Sequence, residues 1–173
     1  MARVLLTGPP GSGKTTLARR VVEILKDRGE PMAGFTTSEI RRGGRRTGFV
    51  IEGIGGLERT IAVRGGAGPR VGSYGVDVRA FEEVALLELG NGIELASTLV
   101  VDEIGKMELF SDAFRGLVPQ VFEATRLLAT VPAVPDPVVA ALMRGPDVRL
   151  VTVDRTQDAR VIADLVVDVA DFR

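Results

Sequence analysis

Residues 8–15 read GPPGSGKT and follow the apolar run RVLLT at positions 3–7. Gly8, Gly13, Lys14 and Thr15 satisfy the pattern G-x-x-x-x-G-K-[ST] without a mismatch. Such a loop holds phosphate by turning successive backbone N–H groups inward, which needs glycine at Gly11 and Gly13. The positive end of a helix beginning at the loop adds to that field. The motif therefore demands a buried strand before it and a helix after it, and both signals are present. A chain that starts strand, phosphate loop, helix is committed to an α/β fold.

The rest of the chain agrees. KTTLARRVVEILKDRG carries Leu17, Val21, Ile24 and Leu25 at helical spacing, with Gly29 as a stop. MAGFTTSEI reads as a strand, RRGGRR (41–46) as a turn, and TGFVIEGI and LERTIAVR as two further strands of a meander. Gly-rich residues 65–75 read as a loop, and 77–90 as a helix. STLVVDE is a buried strand that runs into two acids. Ser111 or Asp112 can cap a helix reaching about Ala124. RLLATV is another buried strand. Asp136 and Pro137 open a short helix, VRLVTV is a last strand, and the tail from Thr156 reads as a final helix. Strands alternating with helices predict a mainly parallel sheet covered on both faces, with an antiparallel meander at about 33–64 inserted at one edge. The 173 residues are expected to form a single domain spanning 1–173.

Composition narrows the chemistry. There is no Cys and no His, which excludes thiol nucleophiles, zinc-thiolate sites and the commonest general base. Acid–base work falls to carboxylates, Lys or the single Tyr, Tyr74. The formal net charge of -1 gives no support to nucleic-acid binding through bulk charge, although a local basic patch is compatible with it. No apolar run has the length of a membrane span, and the N-terminus lacks the layout of a signal peptide, so a cytoplasmic monomer without a membrane partner is the expectation.

Within the loop, the Lys14 ammonium can reach the β- and γ-phosphates of a nucleotide, and the Thr15 hydroxyl can ligand Mg²⁺. The second metal partner expected of such a site is an acid at the end of a buried strand, and Asp102 fits. Glu103 projects differently from the same strand end and can accept a proton from a water aligned on the γ-phosphorus. Thr130, at the end of another buried strand, can face that water or the γ-phosphate. Lys106 can stabilise charge in the transition state. Each has a plainer competing reading as a solvated or strand-end residue. So have Arg41, Arg42, Arg45 and Arg46, which most simply form a solvated hairpin tip, and Tyr74, which most simply packs under the Gly-rich loop.

With the phosphate loop, GFTTSEIRRGGRRTGF, LVVDEIGKMELF and ATVP in this order, the chain resembles the thermophilic, cancer-related nucleoside-triphosphatase family of P-loop proteins over nearly its whole length. The resemblance implies a three-layer, RecA-like fold in which the strand ending at Thr130 lies between the phosphate-loop strand and the Asp102 strand. It implies Mg²⁺-dependent hydrolysis of ATP, GTP and other nucleoside triphosphates to diphosphate and phosphate. It carries the nucleotide contacts onto Gly8, Pro9, Pro10, Gly11, Ser12, Gly13, Lys14, Thr15 and Thr16. The second contact segment is Leu99, Val100, Val101, Asp102, Glu103, Ile104, Gly105 and Lys106. One departure is visible: Arg155 and Thr156 stand where the family carries Asn and Arg. Two other functions fit the same residues. One is a kinase of a small molecule or nucleoside with the hairpin arginines as a lid, and the other a nucleotide-controlled switch that docks protein or RNA.

Overall fold

The computed structural model describes residues 2–95, 97–155 and 159–170. Among these residues nine strands form one sheet: β1 (Ala2–Thr7), β2 (Met32–Arg42), β3 (Arg45–Gly53), β4 (Glu58–Arg64), β5 (Arg70–Val71), β6 (Tyr74–Val76), β7 (Thr98–Val101), β8 (Arg126–Thr130) and β9 (Val148–Thr152). Five helices cover it: α1 (Lys14–Asp27), α2 (Val78–Glu94), α3 (Asp112–Glu123), α4 (Pro137–Leu142) and α5 (Ala159–Ala170). The strand order is β5-β6-β4-β3-β2-β7-β8-β1-β9. Strands β2, β7, β8, β1 and β9 run parallel to one another, and β8 lies between β1 and β7 as the resemblance implied. Among the described residues no helix is long and apolar enough to cross a membrane.

Alternation along β1 divides the core between the two faces. Val4 and Leu6 pack with Leu17, Val21 and Leu25 of α1 and Leu165 and Val169 of α5. Leu5 joins the opposite layer, built on Phe81 and Val84 of α2 and Phe114 and Val118 of α3. Such two-sided burial makes the parallel strands almost continuously apolar. Phe35, Phe81 and Phe114 meet edge to face at 5.2–6.1 Å between ring centroids and lock β2 to that layer. Ser111, not Asp112, is the cap of α3: its Oγ accepts from the Phe114 N–H at 3.0 Å. Asp136 caps α4 in the same way through the Val138 N–H.

Three expectations change. The antiparallel meander is present as β2, β3 and β4, but its first strand is also the parallel partner of β7, and the antiparallel pairing continues to Val76 rather than ending at Arg64. The Gly-rich stretch 65–75 is not only a loop, since it contains β5 and the start of β6. In RRGGRR only Gly43 and Gly44 turn, at φ 54° and 75°, and the four arginines extend the strands on either side. The final helix is described from Ala159 onward. The proposed start at Thr156 lies outside the described residues.

Gly34 decides how closely β2 approaches β7. Its φ is +118°, and a Cβ there would sit 1.9 Å from the Val100 carbonyl oxygen. Gly29 also has positive φ (+70°) but opens onto space. Gly29→Ala should therefore cost only the left-handed strain of about 1–2 kcal/mol. Gly34→Ala adds a backbone collision and should cost several kcal/mol or abolish folding. Urea denaturation of the two variants checks this ordering, and equal midpoints would contradict it.

Candidate active site

The parallel strands carry the site residues at their carboxyl ends, where α/β sheets hold ligands. The loop after β1 has Gly8, Gly11 and Gly13 at φ 147°, 74° and 106°. These values let the loop curl over the start of α1. Lys14 reaches back across the loop, its Nζ donating to the carbonyl oxygens of Gly8 at 3.1 Å and Pro9 at 3.4 Å. Ser12 Oγ is buried with no hydrogen-bond partner among the described residues. An unpaired buried hydroxyl in a loop of this sequence is a condition that an oxyanion would relieve.

Asp102 follows β7 and is fully buried. Its Oδ1 accepts from Thr15 Oγ1 at 3.1 Å and from Thr130 Oγ1 at 2.8 Å. Its Oδ2 accepts from Thr37 Oγ1 at 3.2 Å and from the Thr37 N–H at 3.3 Å. Burial pushes its carboxyl above the ordinary range, and these hydrogen bonds pull against that shift. Thr130 is thus not turned toward a nucleotide; it is buried and spends its hydroxyl on Asp102. Leu99 and Val101 pack into one core layer and Val100 into the other, so they carry Asp102 into position without touching the cleft. Ile104 is likewise buried, and its N–H donates to the Thr130 carbonyl.

Glu103, one residue on, turns out of the core. Burial raises its pKa, the Lys14 cation opposes the rise, and the Asp102 charge adds to it. It lines a cleft of about 650 Å³ together with Pro10, Lys14, Thr15, Gly105 and Lys106, of which Lys106 is exposed. On the far side of Gly11, Gly13 and Thr16 lies a second depression of about 470 Å³, lined also by Arg20, Asp154 and Arg155. Arg155 Nε donates to the Gly11 carbonyl at 3.1 Å, which ties the divergent turn to the phosphate loop. Thr156 of that turn lies outside the described residues. Tyr74 is buried against Phe49 at 5.2 Å and fixed by Arg46 and Arg64, so it packs rather than reads a base.

The profile of the NTPase family matches residues 3–166. The chain belongs to that family. A cancer-related nucleoside-triphosphatase homolog from Bos taurus is 39% identical over the full length of both chains. The crystal structure of THEP1 from the hyperthermophile Aquifex aeolicus superposes with a TM-score of 0.85 at 33% identity, covering 97% of this chain and 99% of the other. The solution structure of a human cancer-related nucleoside triphosphatase gives 0.81 at 36% identity over all of both chains. Membership makes nucleoside-triphosphate hydrolysis the general activity of this NTPase and hydrolase its class.

Two residues of the NTPase site stand inside stretches that carry the family resemblance, Thr37 in GFTTSEI and Glu108 in LVVDEIGKMELF, but the linear sequence gives neither of them a role. Thr37 reaches Asp102 only because β2 lies beside β7. Glu108, in a single 3-10 turn, is buried, accepts from the Gly105 N–H at 3.1 Å and lines the cleft. Burial, with the nearby Glu103 and Asp102 charges, pushes its pKa up to about 8. The neutral acid is therefore favoured in the folded state. Between the ordinary value of 4.5 and about 8 the native protein holds a proton the unfolded chain releases, so this contribution to stability is full below the lower value and declines as pH rises through the window. Glu108→Gln should remove that decline. Wild type should lose on the order of 4 kcal/mol relative to the variant between the two ends of the window, measurable by denaturant midpoints.

Proposed function

We propose that this NTPase transfers the γ-phosphoryl group of ATP, GTP and other nucleoside triphosphates to water activated by Glu103. The observation that carries the reading is Glu103 itself: a carboxyl group on the cleft wall beside the loop lysine, its pKa raised above the ordinary value by burial. A base works best when its pKa approaches the working pH. Lys14 exchanges its loop carbonyls for β- and γ-phosphate oxygens, and the loop N–H groups with Ser12 Oγ take up the remaining acceptors. Water is deprotonated by Glu103 as its oxygen bonds to the γ-phosphorus and the bond to the bridging oxygen breaks. Lys106 sits at the mouth, where charge develops on the phosphoryl oxygens.

The Thr15 hydroxyl is a hard oxygen donor that would hold Mg²⁺, and the buried Asp102 bonded to it at 3.1 Å would hold the ion through its water shell. When bound there, the ion supplies charge neutralisation to the triphosphate. Thr130 and Thr37 act as positioning residues by holding Asp102. The nucleoside extends past Thr16 into the depression with Arg20 and Arg155, two guanidinium planes with no built-in preference among bases.

Glu103→Gln keeps size and loses basicity. Phosphate release without any acceptor should fall by about 10² in kcat while Mg-ATP affinity stays within a few-fold. Normal turnover in this variant would remove Glu103 from the role of base. For the nucleoside end, kcat/KM for ATP, GTP, CTP and UTP should lie within about 1000-fold of one another, because Lys14 and the loop N–H groups address phosphates that every nucleotide shares; a larger ratio, above roughly 4 kcal/mol, would overturn this reading.

A further inference from the structure

The cleft is longer than the phosphate-holding residues require. Lys14 and Thr15 address the β- and γ-phosphates, and Thr15 is bonded to Asp102, so the γ end points toward Glu103. The rest of the nucleotide then leaves on the opposite side, past Thr16. What lies beyond Glu103 belongs to no part of that nucleotide. There the cleft continues between Phe49, Ile61, Val71 and Met107, with Arg46 and Glu39 at its outer edge.

Sheet register orders these groups. Thr37 touches Asp102, Glu39 pairs with Phe49 two residues further along β2, and Arg41 pairs with Arg46 two residues beyond that. At about 3.3 Å per residue, the hairpin arginines begin roughly 13 Å from the Thr37 position. Arg46 is held on this wall by Glu39 at 2.8 Å and Tyr74 at 3.1 Å, its guanidinium 4.9 Å over the Phe49 ring. The chemistry thus changes in sequence: carboxylates near the γ-phosphate, apolar walls next, cations outermost. Residues 39–76 contain Arg41, Arg42, Arg45, Arg46, Arg59, Arg64 and Arg70 against Glu39, which pairs with Arg41 and Arg46, and against Glu52 and Glu58. Those two acids face each other at the opposite end of β3 and β4, so the hairpin end is net positive.

We propose that the outer cleft binds a small organic anion with an apolar, ring-sized body and a hydroxyl group, and that this hydroxyl accepts the γ-phosphoryl group. The inner carboxylates disfavour an anionic acceptor atom and suit a hydroxyl whose proton must be taken. The apolar walls cover the body, and Arg46 with the rim arginines holds the anion. About 650 Å³ for the whole cleft is ample for such a molecule beside two phosphates. In the step, the acceptor oxygen bonds to the γ-phosphorus as the bond to the β–γ bridging oxygen breaks. The proton passes to Glu103, and a phosphate monoester leaves with the nucleoside diphosphate. Hydrolysis is the same reaction with water at the acceptor position, so the proposal rests on the reading of Glu103 given above.

The test uses γ-labelled ATP with millimolar 4-(hydroxymethyl)benzoate or adenosine 3′-monophosphate, each carrying ring, hydroxyl and anion, and benzoate as the control without a hydroxyl. At least one hydroxyl probe should yield a labelled ester at the expense of free phosphate, while benzoate should only inhibit. Arg46→Gln and Val71→Asp, which remove the cation and add a like charge, should each lower ester formation by about tenfold or more. Their phosphate release without a probe should stay within about twofold of wild type. Binding of the probes without ester overturns the transfer step, and no binding by calorimetry overturns the site. Ester formation unchanged in both variants also overturns the site. Glu103→Gln separates the two readings: if it hydrolyses ATP normally while benzoate binding still depends on Arg46, the base assignment fails and the site stands.

Discussion

The buried Asp102 carboxylate is the joint on which the structure turns. Taking a carboxylate out of water is expensive unless its lone pairs are filled. Here they are filled by the start of α1 through Thr15, by β2 through Thr37 and by β8 through Thr130. Three elements, two of them consecutive (α1 and β2) and the third, β8, much further along the chain, converge on the side chain that follows β7. The arrangement is satisfied only when the phosphate loop, both neighbouring strands and the Asp102 strand stand in register. Removing any one donor leaves part of a buried charge unanswered, which couples sheet assembly to the geometry of the nucleotide site.

The second organising fact is that β2 serves both halves of the sheet. Its first residues pair with β7 and belong to the parallel core. Its later residues pair only with β3 and carry the chain beyond the core. The antiparallel strands therefore continue the sheet past the phosphate loop, and their inner surface becomes the outer wall of the cleft. Phe49 and Tyr74, packed edge to face, stiffen that wall, and Met107 from the segment after β7 leans on it. A parallel sheet alone would leave the γ-phosphate end open to solvent.

Much of this was legible in the sequence, for a local reason. The phosphate loop, the apolar run ending in Asp102 and Glu103, and the capping residues are contiguous patterns whose chemistry depends on near neighbours. The residues that escaped depend on strand order. Thr37 is an unremarkable polar residue in FTTSE until β2 is set beside β7, and Phe49 is a core candidate until β3 is set beside the cleft. The hairpin of β5 and β6 was hidden because its glycines signal a loop. Gly75 is required there for another reason: a Cβ would lie 2.1 Å from the Gly66 carbonyl oxygen. Thr130 was found but given the wrong partner, since a strand-end position does not say whether the hydroxyl points outward or along the sheet. The nucleotide contacts expected at Leu99, Val100 and Val101 dissolve for the same reason: a run of four buried residues can only support the acid that follows it.

Three carboxyl groups, Asp102, Glu103 and Glu108, share one small region, and their environments give them different work. Asp102 has donors on both oxygens and is held as an acceptor. Glu108 has backbone donors from Gly105 and its own N–H, but burial outweighs them, so near neutral pH it keeps its proton and adds no charge to the cleft. That neutrality matters to its neighbour. A second ionised carboxylate beside Glu103 would raise the Glu103 pKa further and repel an incoming triphosphate. With Glu108 protonated, the Lys14 cation is the charge that most strongly opposes the rise at Glu103, and it favours the ionised form a base must start from. Environments that push paired carboxyls apart are how one fold runs acid–base chemistry without histidine. In a chain with neither His nor Cys, that separation lets one carboxyl group serve as base while its neighbour stays uncharged, and the burial of Glu108 behind Gly105 is what maintains it.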